Sequence, residues 1–223
     1  MIYPEIFDGK VKAFFTGKTV GADIEKIRCI LSIKKEDIFL PVQKHTDVVF
    51  VVESDCKPVI ADAVVTERKG LLIGVQVADC VPVLLFDRKK SIIGAVHAGW
   101  RGTAAQIVKK TIDLMIKYFN SSPEDILVAF GPSIRGCCYR VNQDVQHVIY
   151  KATGDGRYYS ERSEGGYVID ISAANMLQAM SLGVPERNIW SSNECTHCNP
   201  RDYHSYRYHG NYTGRQGGFI GIF

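Results

Sequence analysis

Leu71-Leu-Ile-Gly-Val-Gln-Val77, Val81-Pro-Val-Leu-Leu-Phe86 and Ile92-Ile-Gly-Ala-Val96 follow one another with only short turns between them. These runs decide the fold class. They are rich in Val, Ile and Leu, and Val81–Phe86 is apolar throughout, as expected of strands covered on both faces. Val48–Val52 and Ala63–Thr66 read the same way. The period then changes. Thr103–Phe119 brings Ile107, Ile112, Met115, Ile116 and Phe119 to one face at three- and four-residue steps, which predicts an amphipathic helix. Strands that precede helices, rather than alternating with them, predict an α+β fold.

Working outward, Ser122-Pro-Glu-Asp125 predicts a short helical turn that runs directly into a strand over Ile126–Phe130. A second helix is expected over Asn142–Ala152. Gly154–Gly166 is polar and glycine-containing, and reads as a mobile loop. A third helix fits Ile171–Leu182, with Ser172 as its cap and Gly183 as its stop. The glycine-rich tail Gly217–Phe223 predicts a terminal strand.

Bulk properties narrow the function. The chain has 223 residues, 46% of them apolar, and a net charge of +3. This is enough for one compact catalytic domain over residues 1–223. The mild charge suits an anionic small-molecule substrate. Lysines and arginines are scattered rather than clustered, so no nucleic-acid partner is expected. No apolar stretch reaches the roughly 18 residues of a membrane span, and the start lacks a signal-peptide pattern, so no membrane partner is expected. Seven cysteines cannot all pair within one chain. Reduced thiols and a cytoplasmic location are the expectation.

Three short segments carry the chemistry. They are Gln43-Lys-His45-Thr-Asp, Ala78-Asp-Cys80-Val-Pro, and Val96-His97-Ala-Gly-Trp-Arg-Gly102. Each candidate ligand sits at or beside a strand end, where residues distant in sequence can converge. Imidazole and thiolate are ligands that zinc prefers, with copper as another ion this set accepts. Three protein ligands leave the fourth tetrahedral position free, which distinguishes a catalytic zinc from a structural one. On spacing alone, a strand-end histidine is more often a hydrogen-bonded structural residue and a cysteine in an apolar run more often core.

The segments resemble one family. Ala61-Asp-Ala-Val-Val-Thr66, Val77-Ala-Asp-Cys-Val-Pro-Val-Leu-Leu85, Ala95-Val-His-Ala-Gly-Trp-Arg-Gly102, Gly131-Pro-Ser-Ile134, and Ser205-Tyr-Arg207 followed by Gly214-Arg-Gln216 all match it, in order, from about Gln43 to the C-terminus. It is the family long described as polyphenol oxidase or multicopper laccase, and more recently as purine nucleoside phosphorylase with adenosine deaminase activity. The resemblance implies a four-layer α/β/β/α sandwich with mixed sheets, similar to the catalytic domain of the cytotoxic necrotizing factor toxins. It implies a zinc bound by His45, Cys80 and His97. It also implies phosphorolysis of adenosine, inosine, guanosine or methylthioadenosine, and deamination of adenosine. The laccase label fits the residues poorly, because multicopper oxidases use several His-x-His pairs and none occurs here.

On this reading the catalytic residues are Cys80, His97 and Asp79. Asp79 is either the acid that passes a proton or a carboxylate that orients a ligand. Arg101, Arg207 and Arg215 are the candidates for binding substrate or phosphate, each with an ordinary ion pair as its alternative. The family's usual phenylalanine-rich approach to Ser-Tyr-Arg is replaced by Tyr203-His204, and Tyr208 stands where a second arginine often follows. A different class of function is an amide hydrolase or deamidase that uses Cys80 as nucleophile and His97 as base. A third is a binding module without turnover. Cys195-Thr-His-Cys198 reads as a pair of reduced, non-catalytic thiols, since a single C-x-x-C is weak evidence for metal. Tyr139 reads as a packing residue.

Overall fold

The strand runs pair into two mixed sheets stacked face to face. In the computed structural model, which describes every residue except Asp8, Lys10, Asp55 and Cys56, the elements follow in the order β1 (Lys12–Phe15), α1 (Ile24–Leu31), β2 (Ile38–Phe39), β3 (Val49–Val51), β4 (Ala63–Thr66), β5 (Leu72–Val77), β6 (Val81–Asp87) and β7 (Ile92–Ala98). Next come α2 (Trp100–Ala104), α3 (Ile107–Phe119), β8 (Ile126–Phe130), β9 (Arg140–Val141), α4 (Gln143–Thr153), β10 (Tyr159–Glu161) and β11 (Tyr167–Ile169). The chain closes with α5 (Ile171–Met180), β12 (Ile189–Ser191), α6 (Tyr206–His209) and β13 (Gln216–Gly221). One sheet has the order β12-β8-β6-β7-β4-β3 and the other β1-β13-β5-β2, with a small antiparallel sheet β10-β11-β9 beside them.

Alternation along the strands sets the layers, because successive side chains point to opposite faces. Val81, Val83 and Leu85 of β6 pack with Ile107, Ile112 and Met115 of α3 and with Ile171 and Ala174 of α5. Leu84 and Phe86 face the other way, onto Phe15 of β1, Ile73 and Val75 of β5, and Ile220 of β13. Phe14, Leu72 and Phe219 leave the far side of that second sheet and cover Ile27 of α1. The resulting sequence of layers is helix, sheet, sheet, helices, the expected α/β/β/α sandwich. Among the described residues, no helix is long and apolar enough to cross a membrane.

The helix expected over Thr103–Phe119 divides at Ala105–Gln106. Gln106 takes a left-handed backbone (φ 61°), so α2 and α3 are separate. Two side chains of α5 bond to Thr103 beside the break. Gln178 Nε2 donates to the Thr103 carbonyl at 3.0 Å, and Asn175 Nδ2 to Thr103 Oγ1 at 2.8 Å. Periodicity registers the apolar face but not a tertiary hydrogen bond that replaces a helical one.

Two further expectations are corrected. Gly154–Gly166 contains strand β10, whose register Tyr159↔Ile169 places buried Tyr158 beside the helix core. The cap of α5 is Asp170, which accepts the Ala173 N–H at 3.0 Å, while Ser172 lies buried inside the helix. Lys12–Phe39, where no element is expected from the sequence, holds β1 and β2 of the second sheet and α1, the helix that covers its far side.

Phe15 anchors the inter-sheet layer. It is fully buried, stacks on Trp190 (6.1 Å between centroids), and fills space that a side chain on Gly131 would enter, since a Cβ there would stand 2.4 Å from the ring. Removing a buried phenylalanine ring costs about 3–5 kcal/mol. Phe15→Ala is expected to lower the unfolding free energy by about that amount in urea titrations, with the slope unchanged.

Candidate functional site

Strand register brings the chemistry to one edge of the sandwich. In the β6–β7 pair, Val81 faces Ala98 and Pro82 faces His97, so Cys80 emerges next to the end of β7. In the β4–β7 pair, Ala63 faces Val96, which puts Asp62 beside His97. β3 runs parallel to β4 from the same edge, so the loop carrying His45 arrives there too. β13 begins opposite the end of β5, with Gln216 facing Val77, and this brings Arg215 close to Asp79 and Cys80 in the chain.

The donor atoms of His45, Cys80 and His97 all lie within 4.8 Å of one another. Cys80 Sγ is 3.9 Å from His45 Nε2, and the two imidazoles meet edge to face with centroids 4.7 Å apart. Ligands at 2.0–2.3 Å around a tetrahedral ion stand roughly 3.3–3.8 Å apart, so this spacing is that of a single-ion site. The donor set and the spacing both fit zinc. Gly99 makes the approach feasible: a Cβ there would stand 2.8 Å from Cys80 Sγ and 3.2 Å from His45 Cδ2.

A carboxylate absent from the candidates read in the sequence holds the cluster together. Asp62 is fully buried. Its Oδ1 lies 2.7 Å from His97 Nδ1 and accepts the His45 backbone N–H at 3.1 Å. Its Oδ2 accepts from the Lys44 N–H (3.1 Å), the Thr46 N–H (2.6 Å) and the Thr46 hydroxyl (2.7 Å). Those bonds curl residues 44–46 around the carboxylate and stabilise the left-handed backbone of His45 (φ 58°). Burial opposes ionisation of Asp62, but His97, Thr46 and the converging N–H groups hold it well below the usual carboxylate range. An ionised carboxylate only accepts, so His97 carries its proton on Nδ1 and leaves Nε2 free to ligate. A carboxylate so placed would fix the tautomer of a metal-bound histidine and raise its basicity.

Without an ion the cluster is polarised internally. Burial alone would raise the Cys80 thiol, yet His97 and His45 bring it down to about 6. Burial would likewise discharge His97, but the Cys80 sulfur and Asp62 bring it up to about 9. Near neutral pH the pair is thiolate and imidazolium. The thiolate is thus ready for a cation, and His97 has one proton to give up when it binds.

The cluster lies in a cavity of about 650 Å³. His45, Cys80, His97, Asp79, Arg101, Arg207 and Arg215, every site residue expected from the sequence, line it. Asp79 has a left-handed backbone (φ 82°) and engages both carboxylate oxygens, Oδ1 with the Thr196 hydroxyl and Oδ2 with the Arg207 backbone N–H, each at 2.6 Å. The carboxylate that orients a ligand histidine is therefore Asp62, and Asp79 ties Thr196 and the start of α6 to the cavity wall.

The three arginines form no ion pair among the described residues. Arg101 lies over the Trp100 ring at 4.3 Å, and Arg207 lies over the Tyr139 ring at 5.2 Å while donating to the Arg140 carbonyl. Arg215 donates to the Thr213 and Gly214 carbonyls. Tyr139 faces the cavity as well as packing. Burial and the nearby Cys80 push its hydroxyl up to about 12, so it stays a neutral donor. Gln43 and Gln76 complete the wall through reciprocal side-chain to backbone bonds of 2.8 Å. The segment Ala61–Thr66 signalled Asp62, but only the register across β4 and β7 reveals its role. The glutamine pair has no local signal, because its partners are 33 residues apart.

The chain is similar to proteins of known sequence and structure. The family described as multi-copper polyphenol oxidoreductase laccase matches residues 16–223. A purine nucleoside phosphorylase of Clostridium acetobutylicum is 38% identical over 188 residues, covering 83% of this chain and 77% of that protein. A protein named adenosine deaminase RL5, from an unknown prokaryotic organism, is 33% identical over 205 residues, covering 86% of this chain and 77% of its own. The crystal structure of YlmD from Geobacillus stearothermophilus superposes with a TM-score of 0.89 at 28% identity, covering 96% of this chain and 92% of that one.

Orienting partners of metal-bound histidines typically contribute 10–100-fold in affinity. Asp62→Asn is expected to weaken zinc binding at the His45–Cys80–His97 site by about that factor. A competition titration against a chelator checks this, and unchanged affinity would remove Asp62 from the role assigned to it.

Proposed function

The chain belongs to the laccase-like family whose model it matches, and from that premise we propose that it is a zinc-dependent purine nucleoside enzyme. Its reactions would be phosphorolysis of adenosine, inosine, guanosine or methylthioadenosine, and deamination of adenosine. One observation carries the reading: a thiolate and two imidazoles with single-ion spacing share a nucleoside-sized cavity with three arginines whose guanidinium groups form no ion pair among the described residues. The relatives named for these two activities support it.

His45, Cys80 and His97 would hold the ion, which when bound supplies a Lewis acid that lowers the pKa of water toward about 7. Zinc suits one thiolate and two imidazoles. Copper accepts the same donors and would give a strongly coloured protein where zinc leaves it colourless. Asp62 keeps His97 in the ligating tautomer throughout. In phosphorolysis, a phosphate oxygen bonds to ribose C1′ as the C1′–N9 bond breaks, and the purine leaves with a proton. Arg101, Arg207 and Arg215 would bind and orient the phosphate, because guanidinium forks match its oxygens and, among the described residues, no carboxylate pairs with them. In deamination, water adds at purine C6 and ammonia departs. Asp79, fixed by Thr196 and the Arg207 N–H, is the carboxylate proposed to move the proton. The Trp100, Tyr139 and Tyr206 rings offer apolar surface for base or sugar.

A second reading rests on the polarised Cys80–His97–Asp62 array, which without metal has the order of a thiol hydrolase's nucleophile, base and orienting acid. Chelation separates the two. The zinc enzyme loses activity to a chelator and regains it with metal. A free thiol pair survives chelation and falls to iodoacetamide.

The protein incubated with adenosine and phosphate is expected to release adenine, with inosine or hypoxanthine if deamination also runs. A product screen that finds none of these above a His97→Ala control would refute the proposal. Hydrogen bonds to charged groups contribute about 1.5–3 kcal/mol. Arg101→Ala is therefore expected to raise the KM for phosphate by roughly 10-fold or more, with less effect on deamination.

A further inference from the structure

A second cluster of soft ligands lies apart from the His45–Cys80–His97 set. The sulfurs of Cys137, Cys138, Cys195 and Cys198 all fall within 4.8 Å of one another. Cys138 Sγ and Cys137 Sγ stand 3.3 and 3.7 Å from Cys198 Sγ. No reading of Cys195-Thr-His-Cys198 alone finds this group, because half of it lies about sixty residues upstream.

Topology explains the meeting. β12 runs parallel to β8, with Ser191 facing Phe130, so the segments that follow the two strands leave from the same edge. They continue side by side: Ser133 bridges to Cys195, and the Thr196 N–H donates to the Ser133 carbonyl at 3.1 Å. The first segment ends in a tight turn in which the Cys138 and Tyr139 N–H groups both donate to the Arg135 carbonyl, and this presents two adjacent thiols. The second supplies its pair from a C-x-x-C turn. The Arg135 backbone N–H donates to Cys195 Sγ at 3.5 Å, as backbone amides do to metal-bound thiolates.

We propose that Cys137, Cys138, Cys195 and Cys198 form a structural tetrathiolate site for one zinc ion. Bonds of about 2.3 Å put neighbouring sulfurs of a tetrahedral zinc roughly 3.8 Å apart, close to the 3.3 and 3.7 Å separations here and inside the 4.8 Å limit of the group. The space between these sulfurs holds one ion and is too small for the several irons and sulfides of a cluster. Four protein thiolates fill the coordination shell, so this ion has no open position and no direct part in the reaction. Two pairwise disulfides would need the sulfurs to separate into couples, whereas Cys198 is shared between Cys137 and Cys138.

The ion would fasten two walls of the cavity. Ile134 and Tyr139 flank the first cysteine pair and line the cavity, and the Ile134 N–H donates to the Asp79 carbonyl. Thr196, inside the second pair, holds the Asp79 carboxylate. This site stands independently of the nucleoside reading, since its donors are separate from the cavity's three.

Metal analysis by mass spectrometry of the full chain, purified under reductant without chelator, tests the proposal. Wild type is expected to hold two zinc ions, and Cys198→Ser and His97→Ala one each. X-ray absorption of wild-type protein should give about two to three sulfur neighbours per zinc, against one for the cavity site alone. The latter measurement stands even if Cys198→Ser fails to fold. If wild-type zinc has one sulfur neighbour, if Cys198→Ser keeps the wild-type zinc content, or if peptide mapping finds a disulfide within the group in reduced cell extract, the site is overturned. Failure of the nucleoside reading would show instead as absent products with the sulfur-rich zinc still in place.

Discussion

Asp62 is a buried anion with five polar contacts from four residues, and the site is organised around satisfying it. An ionised carboxylate in a protein interior is tolerable only where its lone pairs are occupied and a positive or partly positive group stands close. Here the backbone of residues 44–46 and the His97 ring meet that demand, and in doing so they become fixed. The histidine from β7 and the histidine from the loop before β3 are thus oriented by the same two oxygens. Removing the carboxylate would free both ligands together, although it touches no metal itself. The surrounding strands make this interaction workable: β4 is buried along its full length, which keeps water from competing for Asp62.

That anion also sets the electrostatics of the cavity. Asp62 balances His97 from behind, so the positive charge the cavity presents comes from Arg101, Arg207 and Arg215. Their planar faces are partly covered by Trp100 and Tyr139, which restrains two of them without neutralising them. Asp79 lies among them, but its oxygens are turned to Thr196 and to a backbone N–H rather than to a guanidinium. A cavity arranged this way keeps its cations available for an anion that comes and goes. Structural ion pairs would have consumed them.

The parts of the chain legible from sequence were those whose signal is local. β4 to β8 showed as apolar runs because they are covered on both faces, and the candidate ligands showed because they sit in distinctive segments at strand ends. What escaped were features created by pairing. β1, α1 and β2 lie in a stretch of mixed composition where Ala13, Phe14, Phe15, Ile27 and Phe39 are buried at irregular spacings. The break at Gln106 depends on amides of α5 some seventy residues away. Asp62 and the four-cysteine group depend on which strands are neighbours, and a linear reading contains no register. Adjacent cysteines at 137 and 138 and a lone C-x-x-C at 195 are each weak signals, and only the parallel pairing of β8 and β12 adds them together.

The same accounting of donors bears on the family's laccase description. Oxidation of a phenol by dioxygen through several coppers needs many imidazoles grouped tightly enough to hold adjacent ions. This chain has six histidines, and among the described residues only His45 and His97 enter a metal-capable group, joined by one thiolate. The other such group contains sulfur alone, a shell that closes around an ion and keeps reactants out. A metal held by those mixed ligands beside a cationic cavity would polarise a substrate or water while an anion binds next to it. On the proposed reading, group transfer and hydrolysis need only that, and the arginines, which have no task in electron transfer, would hold the anion.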